Sequence, residues 1–249
     1  MRPYYLVLAA GAALLACAYA LYSQAPQPAI ADPHLRMLAI DYGQLTRYAA
    51  ADLALPPAAP GEQRVVFYGD SITDAWRLDQ YFPGKGYINR GISGQTTPQM
   101  VVRFRQDVLN LRPRVVVLLA GTNDLAGNTG PMTLQETEDN YATMAELARL
   151  HNITMVFSSV MPVNNYIHPE MTTGRPPASI LVLNTWLKAY CQANHLIYLD
   201  YYTPMLDSSG MLQKSLTLDG LHPNPAGYAL MAPLAQSAVN AALLQPAAR

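Results

Sequence analysis

The sequence predicts a three-layer α/β sandwich around a five-stranded parallel sheet. From Val65 onward, short apolar runs alternate with stretches of helical periodicity, the pattern of parallel strands joined by crossover helices. One run, Val115 to Leu119, is apolar without alternation, so both its faces need cover and it belongs in the sheet centre. At 249 residues a single α/β domain is an ordinary size.

Composition agrees with a well-filled core. Hydrophobic residues make up 51% and charged residues 13% of the chain, the latter about half the usual share. With 16 Lys and Arg, 17 Asp and Glu and a formal net charge of -1, there is no basic stretch for a phosphate backbone to engage, which argues against nucleic acid as a partner.

The first 31 residues read as an export signal or membrane anchor plus a tether. Arg2 precedes an uncharged stretch from Pro3 to Ala31, alanine-rich as far as Tyr22, the composition of an export segment. Three outcomes fit it: cleavage near Ala18-Tyr19-Ala20, lipidation of Cys17 after Leu14-Leu15-Ala16, or retention of residues 4–22 as a spanning helix, since about 20 apolar residues cross a bilayer. The last two would tether the product to a membrane, and the first would release it outside the cytoplasm. Gln24 to Ala31 suits an extended tether. The folded domain is expected over 32–249.

Asp32-Pro33 reads as an N-cap with proline at the first helical position, and Leu35, Leu38, Tyr42, Leu45 and Ala49 share one face, which predicts one docking helix. Pro56, Pro57, Pro60 and Gly61 end it. Strands are expected at Val65–Tyr68, Tyr87–Arg90, Val115–Leu119, Thr154–Ser158 and Ile197–Asp200. Helices between them carry Val101, Phe104 and Val108, then Tyr141, Met144, Ala145 and Ala148, the second opening on a Thr133–Glu136 capping box. Ala178 to Asn194 and Pro225 to Leu244 complete the set. Cys191 shares an apolar face with Ile180, Leu183, Leu187 and Tyr190 and reads as a small core residue.

The chemistry lies directly after the strands. Gly69-Asp70-Ser71 follows the first, Gly91-Ile92-Ser93-Gly94 the second and Gly121-Thr122-Asn123-Asp124 the third, while Asp219-Gly220-Leu221-His222 precedes the last helix. All four fall at one end of the sheet, where open α/β sheets bind ligands. A serine at a strand-to-helix turn projects its hydroxyl beside free backbone amides. It needs a base, and the base needs a partner that fixes its tautomer; His222 and Asp219, three residues apart, can supply both. Asn123 can donate a side-chain amide, and Gly94 a backbone amide, to a developing oxyanion. Singly each has a bland reading as a turn or helix cap.

Together, Gly69-Asp70-Ser71, Gly94, Gly121-Thr122-Asn123-Asp124 and Asp219-x-x-His222 resemble the four ordered blocks of the GDSL, or SGNH, hydrolase family. The resemblance spans Val65 to about Leu244. It implies a flavodoxin-like sheet in the order 2-1-3-4-5, a serine mechanism with no metal or organic cofactor, a triad of Ser71, Asp219 and His222, and an oxyanion hole from the Ser71 and Gly94 amides and the Asn123 side chain. The implied activity is ester hydrolysis, of a small-molecule, lipid or glycan ester. The alternatives are a noncatalytic ligand-binding protein on the same fold and a phosphate or flavin binder. The intact Ser71, Asn123, Asp219 and His222 weigh against the first, and the distant Asp-x-x-His has no purpose in the second.

His34, His151 and His195 lie in or at the ends of predicted helices with no serine motif nearby and read as surface or capping residues. His168 sits in the long connection from Met161 to Pro177, with Asn164, Asn165, Tyr166, Met171 and Arg175. A connection of that length is a rim over a substrate pocket or an unstructured loop. Trp76 and Tyr81 read as packing residues.

Overall fold

The computed structural model describes residues 32–245, so the export segment, Cys17 and the tether lie outside the described residues. The described chain falls into two units that divide between Ile40 and Asp41. The first contributes one helix, α1 (Pro33–Ile40), whose start is capped as the sequence indicates, Asp32 Oδ1 accepting from the Leu35 amide at 3.4 Å.

The expected single helix through Ala49 is not formed; a separate helix, α2 (Thr46–Ala54), follows a turn. The Asp41 carboxylate accepts from the amides of Leu45 and Thr46 at 2.8 and 3.3 Å and from the Thr46 hydroxyl at 2.9 Å, and Gln44 adopts φ 53°. A short acidic side chain that captures nearby amides competes with the helix ladder, and a shared apolar face does not reveal such a break. Helix α2 packs on the body: the Arg90 guanidinium stands 4.6 Å from the Tyr48 ring centroid, and its Nε donates to Asp52 at 2.9 Å.

The body is a five-stranded, all-parallel sheet of β1 (Val65–Gly69), β2 (Ile88–Gly91), β3 (Val115–Leu119), β4 (Thr154–Ser158) and β5 (Ile197–Leu199). Their order, β2-β1-β3-β4-β5, is the one the family resemblance implies. The helices are α3 (Ser71–Asp74), α4 (Leu78–Tyr81), α5 (Thr97–Asp107), α6 (Thr122–Leu125), α7 (Leu134–Leu150), α8 (Met171–Gly174), α9 (Pro177–Ala193) and α10 (Pro225–Leu244). The Thr133–Glu136 capping box opens α7 as expected. β5 stops at Leu199 because the Asp200 carboxylate turns to cap Thr203, accepting from its amide at 2.9 Å and its hydroxyl at 2.6 Å.

Side chains alternate across a strand, and the sheet uses both faces. Val66, Tyr68, Val116, Leu118, Met155 and Phe157 face one apolar cluster with Phe104, Tyr141, Met144, Leu183 and Leu187 of α5, α7 and α9. Val65, Phe67, Val117, Leu119 and Val156 face a second, closed by Met231, Ala235 and Val239 of α10 and by Trp76, Phe82, Tyr201 and Tyr228. Every β3 residue is buried, as its unalternating sequence requires. Cys191 is buried in the first cluster, and burial pushes its thiol up to about 12, which leaves it a packing residue. Among the described residues no helix is long and apolar enough to cross a membrane.

Candidate active site

The sheet ends bring the four sequence blocks together. β1 runs into the turn Gly69-Asp70, and Ser71 is the first residue of α3. Asp70 caps that helix, its Oδ1 accepting from the Ile72 amide at 3.0 Å, which fixes the direction in which Ser71 leaves the sheet. Ser71 Oγ lies 2.9 Å from His222 Nε2, and His222 Nδ1 lies 2.7 Å from Asp219 Oδ2.

The Asp219–His222 turn is tied internally. Asp219 Oδ1 accepts from the amides of Leu221 and His222 at 2.9 and 2.8 Å, while the Thr217 hydroxyl donates to the His222 carbonyl at 2.9 Å. Burial alone would raise the Asp219 carboxyl, but the hydrogen bonds from the His222 ring and from the His222 and Leu221 amides outweigh it and hold the group below its ordinary value. Gly220 has φ +96°, and a Cβ there would lie 2.4 Å from the Asn164 carbonyl oxygen. Only glycine lets the turn sit so close.

After β2, Gly94 has φ +79°, a conformation that favours glycine, and its carbonyl accepts from Asn128 Nδ2 at 3.0 Å. Asn123, buried in the first turn of α6, donates Nδ2 to the Gln95 carbonyl at 3.0 Å. Beside it, Asp124 accepts from the Thr97 amide at 3.0 Å and from the Thr97 hydroxyl, so the β3 loop is bolted to the start of α5. The amides of Ser71 and Gly94 have no backbone acceptor among the described residues. Both amides are thus left without a main-chain partner, at turns that follow β1 and β2.

Sequence reasoning missed three supports. Arg103, fully buried on α5, donates to the carbonyls of Gly69 at 3.0 Å and Arg90 at 2.9 Å and to Gln95 Oε1 at 2.5 Å, and pairs with Asp107 at 2.9 Å. It ties the ends of β1 and β2 to the Gly94 loop. Asp70 is fully buried with Oδ2 unpartnered; burial pushes its carboxyl up to about 7, against the opposing effects of the Ile72 amide and the nearby imidazole. Arg175 reaches Asn123 from the connection after β4, with Nη2 3.4 Å from Asn123 Oδ1. That connection is partly core: Met161, Val163 and Asn164 are buried, and Asn164 donates to the Leu212 carbonyl at 2.8 Å. His168 is exposed, with Nδ1 3.5 Å from Glu170 Oε1. His151 and His195 end helical segments at the surface. Trp76 is buried among aromatic rings, and Tyr81 packs on Tyr228.

The fold is an α/β sandwich of the 2-1-3-4-5 sheet order, with a serine, a histidine and an aspartate linked beyond its strand ends. The GDSL-like Lipase/Acylhydrolase family model matches residues 67–230, and the chain belongs to that family. It is 41% identical to a Bacteroides fragilis protein described as an acylhydrolase, with a TM-score of 0.77, over 82% of this chain and 99% of that one. It is 40% identical to a GDSL-like lipase of Bacteroides thetaiotaomicron, with a TM-score of 0.76, over 81% and 100%. An acetylxylan esterase of Geobacillus stearothermophilus, 18% identical with a TM-score of 0.59 over 71% of this chain and 94% of that one, shares the fold. Lipoprotein YqeF of Bacillus subtilis is 29% identical over 41% of this chain, which spans half the length of that relative.

Proposed function

We propose that the protein is a carboxylic ester hydrolase that works through an acyl-enzyme on Ser71. The observation that carries the reading is the continuous relay from Ser71 Oγ through the His222 ring to Asp219, at 2.9 and 2.7 Å. These are distances at which a base takes a proton from a serine and an acid holds the base in one tautomer.

His222 Nε2 takes the Ser71 proton as Oγ bonds to the ester carbonyl carbon. The electron pair of the carbonyl moves onto oxygen, where the Ser71 and Gly94 amides and the second Asn123 N–H stabilise it. The carbonyl re-forms, the C–O bond to the alcohol breaks, and the alcohol leaves with the His222 proton. Water then gives its proton to His222 and attacks the acyl carbon, and the acid departs as Ser71 regains its hydrogen. Asp219 stays ionised throughout and stabilises the imidazolium.

The alanine-rich leader and the kinship with a protein described as a lipoprotein support an exported enzyme, free or tethered through residues 4–22 or Cys17, with lipid or glycan esters of the envelope or exterior as its substrate class. Turnover of nitrophenyl esters from acetyl to palmitoyl, then of acetylated sugars, tests the activity and sets the acyl range. Ser71→Ala should abolish turnover and labelling by a fluorophosphonate while the fold remains; a variant that still turns over would refute Ser71 as nucleophile.

A further inference from the structure

A carboxamide offers two ends of similar shape, and only its surroundings decide which end donates. At Asn123, Nδ2 faces the Gln95 carbonyl at 3.0 Å, and Oδ1 faces Arg175 Nη2 at 3.4 Å. Exchanging the two ends would set Asn123 Oδ1 against the Gln95 carbonyl, acceptor on acceptor, and Nδ2 against the guanidinium, donor on donor. One orientation alone satisfies both neighbours.

Arg175 is held for this contact. It directly follows α8, its Nε donates to the Thr122 hydroxyl at 3.1 Å, and Nη1 lies 3.4 Å from Met171 Sδ. The side chain is partly buried, and among the described residues no carboxylate oxygen comes within 4.0 Å of it, although the charges of Asp70 and Asp219 act on it from further off. A cation placed on the carbonyl end of an amide also draws electron density from its nitrogen and strengthens the remaining N–H as a donor.

We infer that Arg175 is a positioning residue for the oxyanion hole, locking the Asn123 amide so that one N–H goes to Gln95 and the other is left for the reacting oxygen. The inference rests on the reading of Asn123 as an oxyanion donor. It also gives the long connection after β4 a purpose, to bring one guanidinium across to the β3 loop.

The test is a double-mutant cycle on the full chain with nitrophenyl acetate, a neutral ester. Arg175→Met should lower kcat about tenfold to a hundredfold, the effect of losing a hydrogen bond to a charged group, and leave KM within about twofold. Asn123→Ala should lower kcat by about 100 to 1,000-fold. In that background, Arg175→Met should cost no more than about a further twofold, because the amide it orients is gone. Arg175→Gln, which keeps an N–H donor, should recover part of the rate, and serves also if the methionine variant does not fold by circular dichroism. An undiminished kcat in both Arg175 variants, or an equal cost with and without Asn123, would overturn the inference. So would a loss confined to KM for esters that carry a carboxylate, which would make Arg175 a substrate anchor. If Asn123→Ala itself retains full turnover, the oxyanion reading fails at its own step and the inference falls with it.

Discussion

Arg103 donates a hydrogen bond at 3.0 Å to the carbonyl of Gly69, two residues before the nucleophile candidate Ser71. The same guanidinium holds the Arg90 carbonyl and Asp107, and stands 4.1 Å from the Tyr68 ring centroid. A buried cation with this many acceptors is a structural rivet behind the candidate site.

Arg103→Met should therefore destabilise the fold by about 3–5 kcal/mol, since it strands the buried Asp107 carboxylate. Urea unfolding of the variant and wild type measures this. A loss below about 1 kcal/mol would mean that the carbonyls find other donors.

Asp219→Asn should lower kcat on the order of 1,000-fold or more with little change in thermal midpoint. The asparagine oxygen can still accept from the Leu221 and His222 amides, but its NH2 would meet His222 Nδ1 and push the ring proton to Nε2, where it blocks acceptance from Ser71. Fluorophosphonate labelling should slow without vanishing. Unchanged turnover would reduce Asp219 to a turn residue.

Gly220→Ala combines a left-handed backbone with a contact that has no room. Relief requires the turn to lift from Asn164, carrying His222 away from Ser71. Displacement of about 1 Å costs on the order of 100-fold in rate. Steady-state kinetics with a parallel melting curve separates this from unfolding; normal turnover would show that the turn relaxes elsewhere.

Asp70 makes a pH prediction. Its carboxyl is raised from 3.8 to about 7 in the fold, so between those values the folded state holds more proton than the unfolded chain. Stability from this group is then greatest at low pH and declines as pH rises to about 7, beyond which the penalty is constant. Asp70→Asn removes the titration and keeps an oxygen to cap Ile72. Its melting point relative to wild type should rise from pH 4 to pH 8, by several degrees; a pH-independent difference would show that Asp70 does not titrate there.

Ser71, Gly94, Asn123, Asp219 and His222 stand out as candidates in the sequence because each lies next to a periodic segment, in a block whose residue types have a joint chemical meaning, and the structure links Ser71, His222 and Asp219. The sheet was legible because β-branched runs such as Val115–Leu119 leave little choice. Arg175 and Asn164 were not, because their partners, Asn123 and Gly220, are distant in sequence and no period links them. Arg103 reads as a polar helix residue until its acceptors are seen. The break after Ile40 leaves no mark in the sequence pattern because a shared face runs through a turn as readily as through a helix.

The turn that carries His222 is closed upon itself: Asp219 binds the ring and the amides of Leu221 and His222, and Thr217 clasps the His222 carbonyl. Imidazole and carboxylate thus travel together, as a cartridge docked at Asn164. A substitution that lifts this turn is expected to change the gap to Ser71 before it separates the pair. The Asp219–His222 pair is therefore assembled by its own turn, and what the contact with Asn164 sets is the distance from that pair to Ser71.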